Sequence, residues 1–421
     1  MILPREVDVA VVGAGAAGLA ATRRLLAAGV RAHTLEARNR VGGRAHTVLR
    51  DGLPLDLGCG WLHSGDQNSF TRIAGELGVT VDRTPPSWGE QSGDLEFSLT
   101  QQAAFGEAFD AFEARLAAEA DRPDRAAADL FEPDGRWNPL IDAVSSWYNG
   151  AEFDRISVHD YLAYADDEVN WLLPGGYGAL VAQWAGDLPV TLGAAVERID
   201  RSGPTLRLFT SIGALDARAV VVAVPTPVLA EERLRFDPPL PAKTEAAADL
   251  PLGLANKVVF GLDEPGAFPA EGHWMGRTDR TDTGSHHLRP FGHPYIETFL
   301  GGRCAEALEG EGPGAAADFA LAELVALVGS GVRRRVRVLA ETRWRADPWA
   351  GGGYSYARPG RREARALLAA PVENRIFFAG EATSPHLFST CHGAHDTGVR
   401  AAEAALRALG RLAPAEGGED Q

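Results

Sequence analysis

Residues 7–44 read VDVAVVGAGAAGLAATRRLLAAGVRAHTLEARNRVGGR, and the order of residue types in this stretch decides the fold. Val7 to Val12 is a short apolar run bounded at once by glycines, as expected of a buried strand. Leu19 to Gly29 has helical apolar spacing and stops at a glycine. A second short strand starts at Arg31 and ends at Glu36. Strand, tight turn, helix and strand within about 30 residues make a βαβ unit.

Gly13-x-Gly15-x-x-Gly18 falls directly after the first strand and opens the helix. Gly13 permits the sharp turn, Gly15 lets a pyrophosphate approach the backbone, and Gly18 lets the helix pack tightly on the strand. Ala16 and Ala17 lie in the same turn, at the helix N-terminus that faces negative phosphates. Glu36 follows Gly18 by 18 residues. An acid there can hydrogen-bond both ribose hydroxyls and repels a 2′-phosphate.

The sequel to Glu36 separates FAD from NAD. Ala37-Arg38-Asn39-Arg40-Val41-Gly42-Gly43-Arg44 offers a second close backbone approach with a cation for pyrophosphate, as a dinucleotide as long as FAD requires. The far end adds Phe378-Ala379-Gly380-Glu381 and then Thr390-Cys391-His392-Gly393-Ala394, leading into a last helix. Glu381 at a strand end could take ribityl hydroxyls. The positive end of the last helix would face the flavin edge where charge collects on reduction.

The 421 residues give room for two domains with a sizeable core. A net charge of −16 argues against a nucleic-acid surface and mildly favours a cationic ligand. Cys59, Cys304 and Cys391 are too scattered for a disulfide framework, which suits a reducing compartment. The first residues carry no secretory pattern, and no apolar run reaches the roughly 18 residues of a membrane span. PAEGGEDQ at the end reads as a short disordered tail. A cytoplasmic protein not held in a membrane is expected.

Between these ends, Gln101 to Asp121 reads as a helix with Phe105, Phe109, Phe112 and Leu116 on one buried face. Pro189 to Val224 alternates short strands with turns, and Asp318 to Val328 reads as another helix. Arg333, Arg334, Arg335 and Arg337 alternate with valines as the wet face of a strand would. His286-His287 reads as a solvated doublet in a polar loop. His386, Cys391, His392 and His395 lack the spacing of a zinc site. The absence of GxSxG and of a Walker A motif leaves hydrolase and NTPase readings without support.

The fold expected is therefore α/β: a Rossmann-like, doubly wound FAD-binding domain interleaved with an α+β substrate domain of mixed sheet and helices. Residues 1–84, 172–230 and 345–421 are assigned to the first, and 85–171 and 231–344 to the second. The active site is expected at their junction.

The motifs above, with LDLGCGWLHS (55–64), LPGGYGALV (173–181), VVVAVPTPVL, LPLGLANKVVF, WRADPWAGGGYSYARPG and RIFFAGEATSPHLFSTCHGAHDTGVRAAEA, resemble the flavin amine oxidase family. That family includes monoamine oxidases, polyamine oxidases and lysine-specific histone demethylases. Only about 85–170 and 265–340 lack a clear counterpart, and in this family those regions shape the substrate site. The resemblance implies that Gly13, Gly15, Ala16, Ala17, Gly18, Glu36, Ala37, Arg38, Gly42, Gly43 and Arg44 hold the ADP half of FAD. Leu57, Gly58, Cys59 and Trp61 would line the isoalloxazine, and Val196 would contribute backbone contacts to adenine. Trp344 would pack near the flavin, with Gly380, Glu381, Thr390, Cys391 and Ala394 closing the site.

By the same resemblance, Lys257 matches the lysine that holds a water against flavin N5. From the residues alone, a lysine inside NKVVFGL is either surface-facing or a buried functional amine. Tyr354 matches an aromatic wall beside the flavin, and His63 a histidine near the substrate, with Trp171 and Thr390 also placed near it. Monoamine oxidases pair two aromatics there, whereas here the opposite wall falls at Thr390-Cys391. That departure favours the polyamine oxidase and demethylase side. No cysteine stands in the covalent attachment position, so non-covalent FAD is expected. The activity implied is loss of a hydride from the α-carbon of a small-molecule amine, then hydrolysis to an aldehyde or ketone, with dioxygen reduced to peroxide. A homodimer is compatible with this reading. Oxidation of an L-amino acid, another flavin oxidation or desaturation on the same fold, and a non-catalytic flavin-binding protein are the alternatives.

Overall fold

The computed structural model describes residues 3–412, so PAEGGEDQ lies outside the described residues. The chain forms two compact units. One holds the described residues up to Ala45, Gly178–Asp249, and those from Glu363 onward; the other holds His46–Tyr177 and Leu250–Arg362.

The first unit is built on an eight-stranded mixed sheet. Its centre is β1 (Glu6–Val12), which pairs in parallel with β2 (Ala32–Leu35) on one side and with the strand Gly213–Val222 on the other. Val9, Ala10 and Val11 are wholly buried, which is why this strand is apolar without alternation. The strand Ile376–Phe378 also runs parallel to Gly213–Val222. Register places Leu35 beside Val12, Val12 beside Val222, and Val222 beside Phe378, so four strands end level. In open α/β sheets, the space outside these carboxyl ends is where ligands bind. Helix α1 (Ala16–Ala27) and the closing helix Cys391–Ala408 cross closely. A Cβ on Gly398 would stand 2.1 Å from the carbonyl oxygen of Ala17.

The second unit carries a five-stranded antiparallel sheet in the order Gly272–Met275, Ser285–Leu288, Tyr295–Gly301, Ala255–Leu262, Val336–Glu341. Alternation along its strands sorts the residues. Val258, Phe260, Ile296 and Leu300 join a buried cluster with Leu308 and Leu324 from the helices Gly302–Glu311 and Ala315–Val328. Lys257, Glu297 and His287 belong to the alternate positions. The expected aromatic helix runs from Leu99 to Ala117, started by a capping box between Ser98 and Gln101. Phe112 and Leu116 are fully buried in a second cluster. Among the described residues, no helix is long and apolar enough to cross a membrane.

The compact units fall on boundaries other than those expected from the sequence. Residues 46–84 pack with the second unit, beginning with the hairpin Thr47–Arg50 and Leu53–Asp56. Residues 345–362 do so too, since Gly253 donates its amide to the carbonyl of Tyr354 at 2.8 Å. Conversely, the helix Pro241–Ala248 belongs with the first unit, where Lys243 caps the helix Ala364–Ala369 by donating to the carbonyls of Leu368 and Ala370. The arginine run also differs. Ser330–Arg334 is a 3-10 turn following Gly329, and the strand begins only at Val336. Of the four arginines only Arg337 lies on it, paired with Asp51 at 2.7 Å.

Candidate active site

In the first unit the glycines build a cradle at the level strand ends. A Cβ on Gly18 would fall 1.8 Å from the carbonyl oxygen of Gly13 and 3.3 Å from Val11, so only glycine lets α1 sit this close to β1. Gly43, at φ +60°, brings its Cα against Gly15, where a Cβ would be 3.2 Å away. Gly15 and Gly42 form an isolated parallel bridge, and the Gly42 amide donates to Ala14 at 2.8 Å. The two glycine motifs therefore face each other as two walls of backbone, free of side chains. This is the shape a pyrophosphate needs, and the residues fit FAD.

Glu36 is buried and ties this cradle together. One carboxylate oxygen accepts the Ala14 amide at 2.7 Å and the other the Arg38 amide at 2.9 Å. Each oxygen retains a lone pair, so the ribose role expected for Glu36 is sterically compatible with these bonds. The Glu36 and Arg38 carbonyls in turn accept the amides of Ala194 and Gly193, which brings the start of the strand Val196–Asp200 beside this segment.

A depression opens at the ends of Gly213–Val222 and Ile376–Phe378, lined among others by Arg44, Val224, Thr226, Gly380 and Glu381. Arg44 donates to Glu381 at 2.9 Å, and Glu381 also accepts the Ser389 amide at 2.9 Å. Arg365 lies 3.7 Å over the Phe388 ring and steadies the same loop. Thr390 is the N-cap of the closing helix: its hydroxyl accepts from the Gly393 amide at 3.0 Å and donates to Leu387 at 2.8 Å. Cys391 is the first helical residue, and Ala394 follows one turn on.

The second unit holds a cleft between Pro54, Trp61, Leu172, Lys257 and Phe291. Its floor carries Lys257, whose ammonium donates to the Asp56 carbonyl at 2.9 Å and lies 3.3 Å from a Glu297 carboxylate oxygen. Burial pushes the Glu297 carboxyl up, against the pull of Lys257. Trp61, Tyr295 and Phe291 line the same cleft. Trp61 stacks on His287 at 6.0 Å and meets Trp88 edge-on at 4.4 Å. His63 lies near, 6.4 Å from Trp88, with its Nδ1 2.6 Å from the Asn170 side-chain oxygen.

The expectation of a solvated His286-His287 loop is wrong. Both lie buried on the strand Ser285–Leu288, because cross-strand pairing places them against Thr298 and Glu297. Burial, then the Lys257 charge, push the His287 imidazole down to about 4, so it is neutral at ordinary pH.

Among the other predicted residues, Trp344 is buried. Its indole donates to the Leu57 carbonyl at 3.0 Å, and its amide donates to Asn256 beside Lys257. Leu57, Gly58 and Cys59 are half-buried in the segment leading to the cleft. The Tyr354 hydroxyl donates to the Trp147 carbonyl at 2.6 Å. Trp171, on a short strand paired with Trp61–Leu62, is covered by Arg83 at 4.4 Å. Lys257, Trp61 and the Leu57 segment thus come together. Glu297, His287, Tyr295 and Trp88 were missed, because they sit in stretches without a recognisable motif. The alternation Tyr295, Glu297, Phe299 was the available signal for one of those strands.

The model of the family described as flavin containing amine oxidoreductase matches residues 16–164 and 132–406. Polyamine oxidase 2 of Arabidopsis thaliana is 31% identical over 95% of this chain and 88% of its own length. Polyamine oxidase 3 of Oryza sativa subsp. japonica is also 31% identical, over 93% of this chain and 88% of its own. A solved structure of wild-type putrescine oxidase bound to putrescine superposes with a TM-score of 0.75 at 21% identity, covering 94% of this chain and 98% of that one.

Proposed function

The chain belongs to the flavin-containing amine oxidoreductases and is an FAD-dependent enzyme; within that family, we propose that it is an oxidase of a small, polyamine-like or other primary or secondary amine. The observation that carries this reading is the buried Lys257 at the floor of an aromatic cleft. When bound, FAD would take the hydride from the amine α-carbon and pass its electrons to dioxygen, giving peroxide.

The chain's own residues do the rest. The two glycine walls with Glu36, Arg38 and Arg44 would hold the dinucleotide without a covalent bond. Leu57, Gly58, Cys59 and Trp344 would line the ring system, and Val196 would meet adenine. Trp61, Trp88 and a neutral His287 would frame the bound amine with ring faces, and the neighbouring Lys257 charge disfavours a second ammonium, so the reacting nitrogen would bind unprotonated. Lys257 would hold a water close to the reacting atoms. The hydroxyls of Tyr354 and Thr390 are already committed to carbonyls, so both would act by shape and contact. The names of the relatives, polyamine and putrescine oxidases, support the choice of a polyamine-like amine.

The test is anaerobic mixing of the purified yellow protein with spermine, spermidine, putrescine, a phenylethylamine and a cyclic secondary amine. Bleaching of the visible bands by one of them, reversed by air with release of peroxide, is the expected result. Bands that stay with every amine would move the reading to an amino acid or another donor. Acid precipitation should release the flavin into the supernatant.

A further inference from the structure

The chain has only two lysines, Lys243 and Lys257, against 39 arginines. Both are buried, and their partners differ in kind. Lys243 donates to backbone carbonyls at a helix end. Lys257 has one carbonyl, that of Asp56, and one carboxylate, that of Glu297. We propose that Glu297 is the positioning residue for Lys257, holding it as an ammonium aimed along the cleft past Gly60.

Strand register makes the pair. Lys257 stands opposite Phe299, and Glu297 opposite Val259, so the two are diagonal neighbours on one face of the sheet. The Lys257 side chain is 6% exposed and that of Glu297 12%, so little solvent screens the contact. The Lys257 backbone is pinned by exchange with Thr342, its amide donating to the hydroxyl at 2.7 Å and its carbonyl accepting the Thr342 amide at 2.9 Å. The stem then lies against the Phe299 ring, with Nζ 4.8 Å from its centre. A Cβ on Gly60 would be 3.6 Å from Nζ, so the open side of the ammonium is the glycine side.

The other titratable groups nearby are otherwise engaged. The Asp56 carboxylate accepts from the Thr47 hydroxyl at 2.5 Å and the Tyr177 amide at 2.8 Å, while its backbone carbonyl accepts from Lys257. His287, on the neighbouring strand, is kept neutral by burial and by Lys257 itself. Tyr295 is held protonated by burial. Glu271 lies 3.9 Å from His287 at the partly exposed end of this row. Glu341, opposite Val258, accepts the Gly314 amide at 2.9 Å. Glu297 thus sets a carboxylate against the ammonium, and burial without it would favour the neutral amine.

The role rests on the reading of Lys257 given above, and its test does not need turnover. Lysine labelled with ¹³C and ¹⁵N gives two side-chain signals in the flavin-loaded protein, and Lys243 reports on folding. In Glu297→Gln, Lys257 should titrate at least about one pH unit lower than in the wild type, with Lys243 unchanged. Glu297→Asp should restore part of that difference. The limb of the pH profile of flavin reduction that reports Lys257 should move with it. An unmoved Lys257 titration in Glu297→Gln overturns the proposal, as does a rise in KM alone, which would make Glu297 a substrate contact. If Glu297→Gln does not fold, the same comparison is made with Glu297→Asp. A protein that oxidises no amine yet shows the displaced Lys257 keeps the pairing and loses the reaction.

Discussion

Arg44 and Glu381 are separated by 337 residues and meet at 2.9 Å on the wall of the depression in the first unit. Arg44 closes the second glycine motif, and Glu381 follows the strand Ile376–Phe378, so one ion pair joins the two segments assigned to FAD from opposite ends of the chain. The Glu381 side chain is 5% exposed and that of Arg44 24%, so solvent screens this contact less than a surface pair.

Arg44→Met should therefore weaken FAD binding and also destabilise the apoprotein by roughly 1–3 kcal/mol, because it removes a cation from beside a buried carboxylate. Adding Glu381→Gln should recover part of the stability and none of the affinity. Urea melts and flavin fluorescence titrations separate the two. A double variant whose loss equals the sum of the losses of Arg44→Met and Glu381→Gln taken singly would mean that the pair contributes nothing.

Gly18→Ala tests the cradle more sharply. The added methyl would overlap the Gly13 carbonyl, so α1 must shift away from β1. Overpacking of this kind costs about 1–3 kcal/mol, and the displaced turn should bind FAD at least tenfold more weakly. Gly106→Ala, inside the helix Leu99–Ala117 with open space around it, is the control and should keep its flavin.

How much of this was legible in the sequence depends on range. Gly13, Gly15, Gly18 and Glu36 announce the βαβ unit because a local turn and a local strand end need those residue types in that order. The family resemblance added Lys257, whose burial periodicity alone left open. The partners of Lys257 were not legible. Glu297 and His287 reach it through cross-strand pairing, and His286-His287 looks solvated until its strand is paired on both sides. The compact units divide the chain at places the sequence did not suggest, for a related reason. Tyr354 belongs with Gly253 through a hydrogen bond that spans 101 positions of sequence, which no linker composition reveals.

Lys257→Met should retain flavin and fold, since the cradle lies in other segments, while slowing flavin reduction by the amine about 10²-fold or more. Anaerobic stopped-flow spectroscopy measures that step directly. An unchanged rate would remove Lys257 from the chemistry.

Asn256 holds Trp344 through the tryptophan amide, at 3.1 Å, and is itself held by Glu309 at 2.8 Å. Asn256→Ala leaves the Glu309 carboxylate short of one donor and frees the Trp344 loop. A stability loss of about 1–3 kcal/mol is expected, with a change in the visible flavin spectrum if Trp344 packs near the ring. An unaltered spectrum in a variant of reduced stability would place Trp344 away from the flavin.

Acid should destabilise the second unit through its histidines, and the sign follows from their environment. Burial first, then neighbouring positive charge, lowers His287 to about 4 and His273 to about 3, below the ordinary 6.5. The unfolded chain therefore binds these protons at a higher pH than the folded one. Stability is full above pH 6.5 and falls as the pH drops toward 4 for His287 and toward 3 for His273. At about 1.4 kcal/mol per unit, His287 alone accounts for up to roughly 3 kcal/mol across its window. Carboxylates with lowered values act in the same direction at lower pH, so the histidine part must be isolated. His287→Gln keeps a polar side chain that cannot charge, and its urea midpoint should fall less steeply than that of the wild type between pH 6.5 and 4. Parallel slopes would mean that His287 takes up its proton in the folded protein as readily as in the unfolded one.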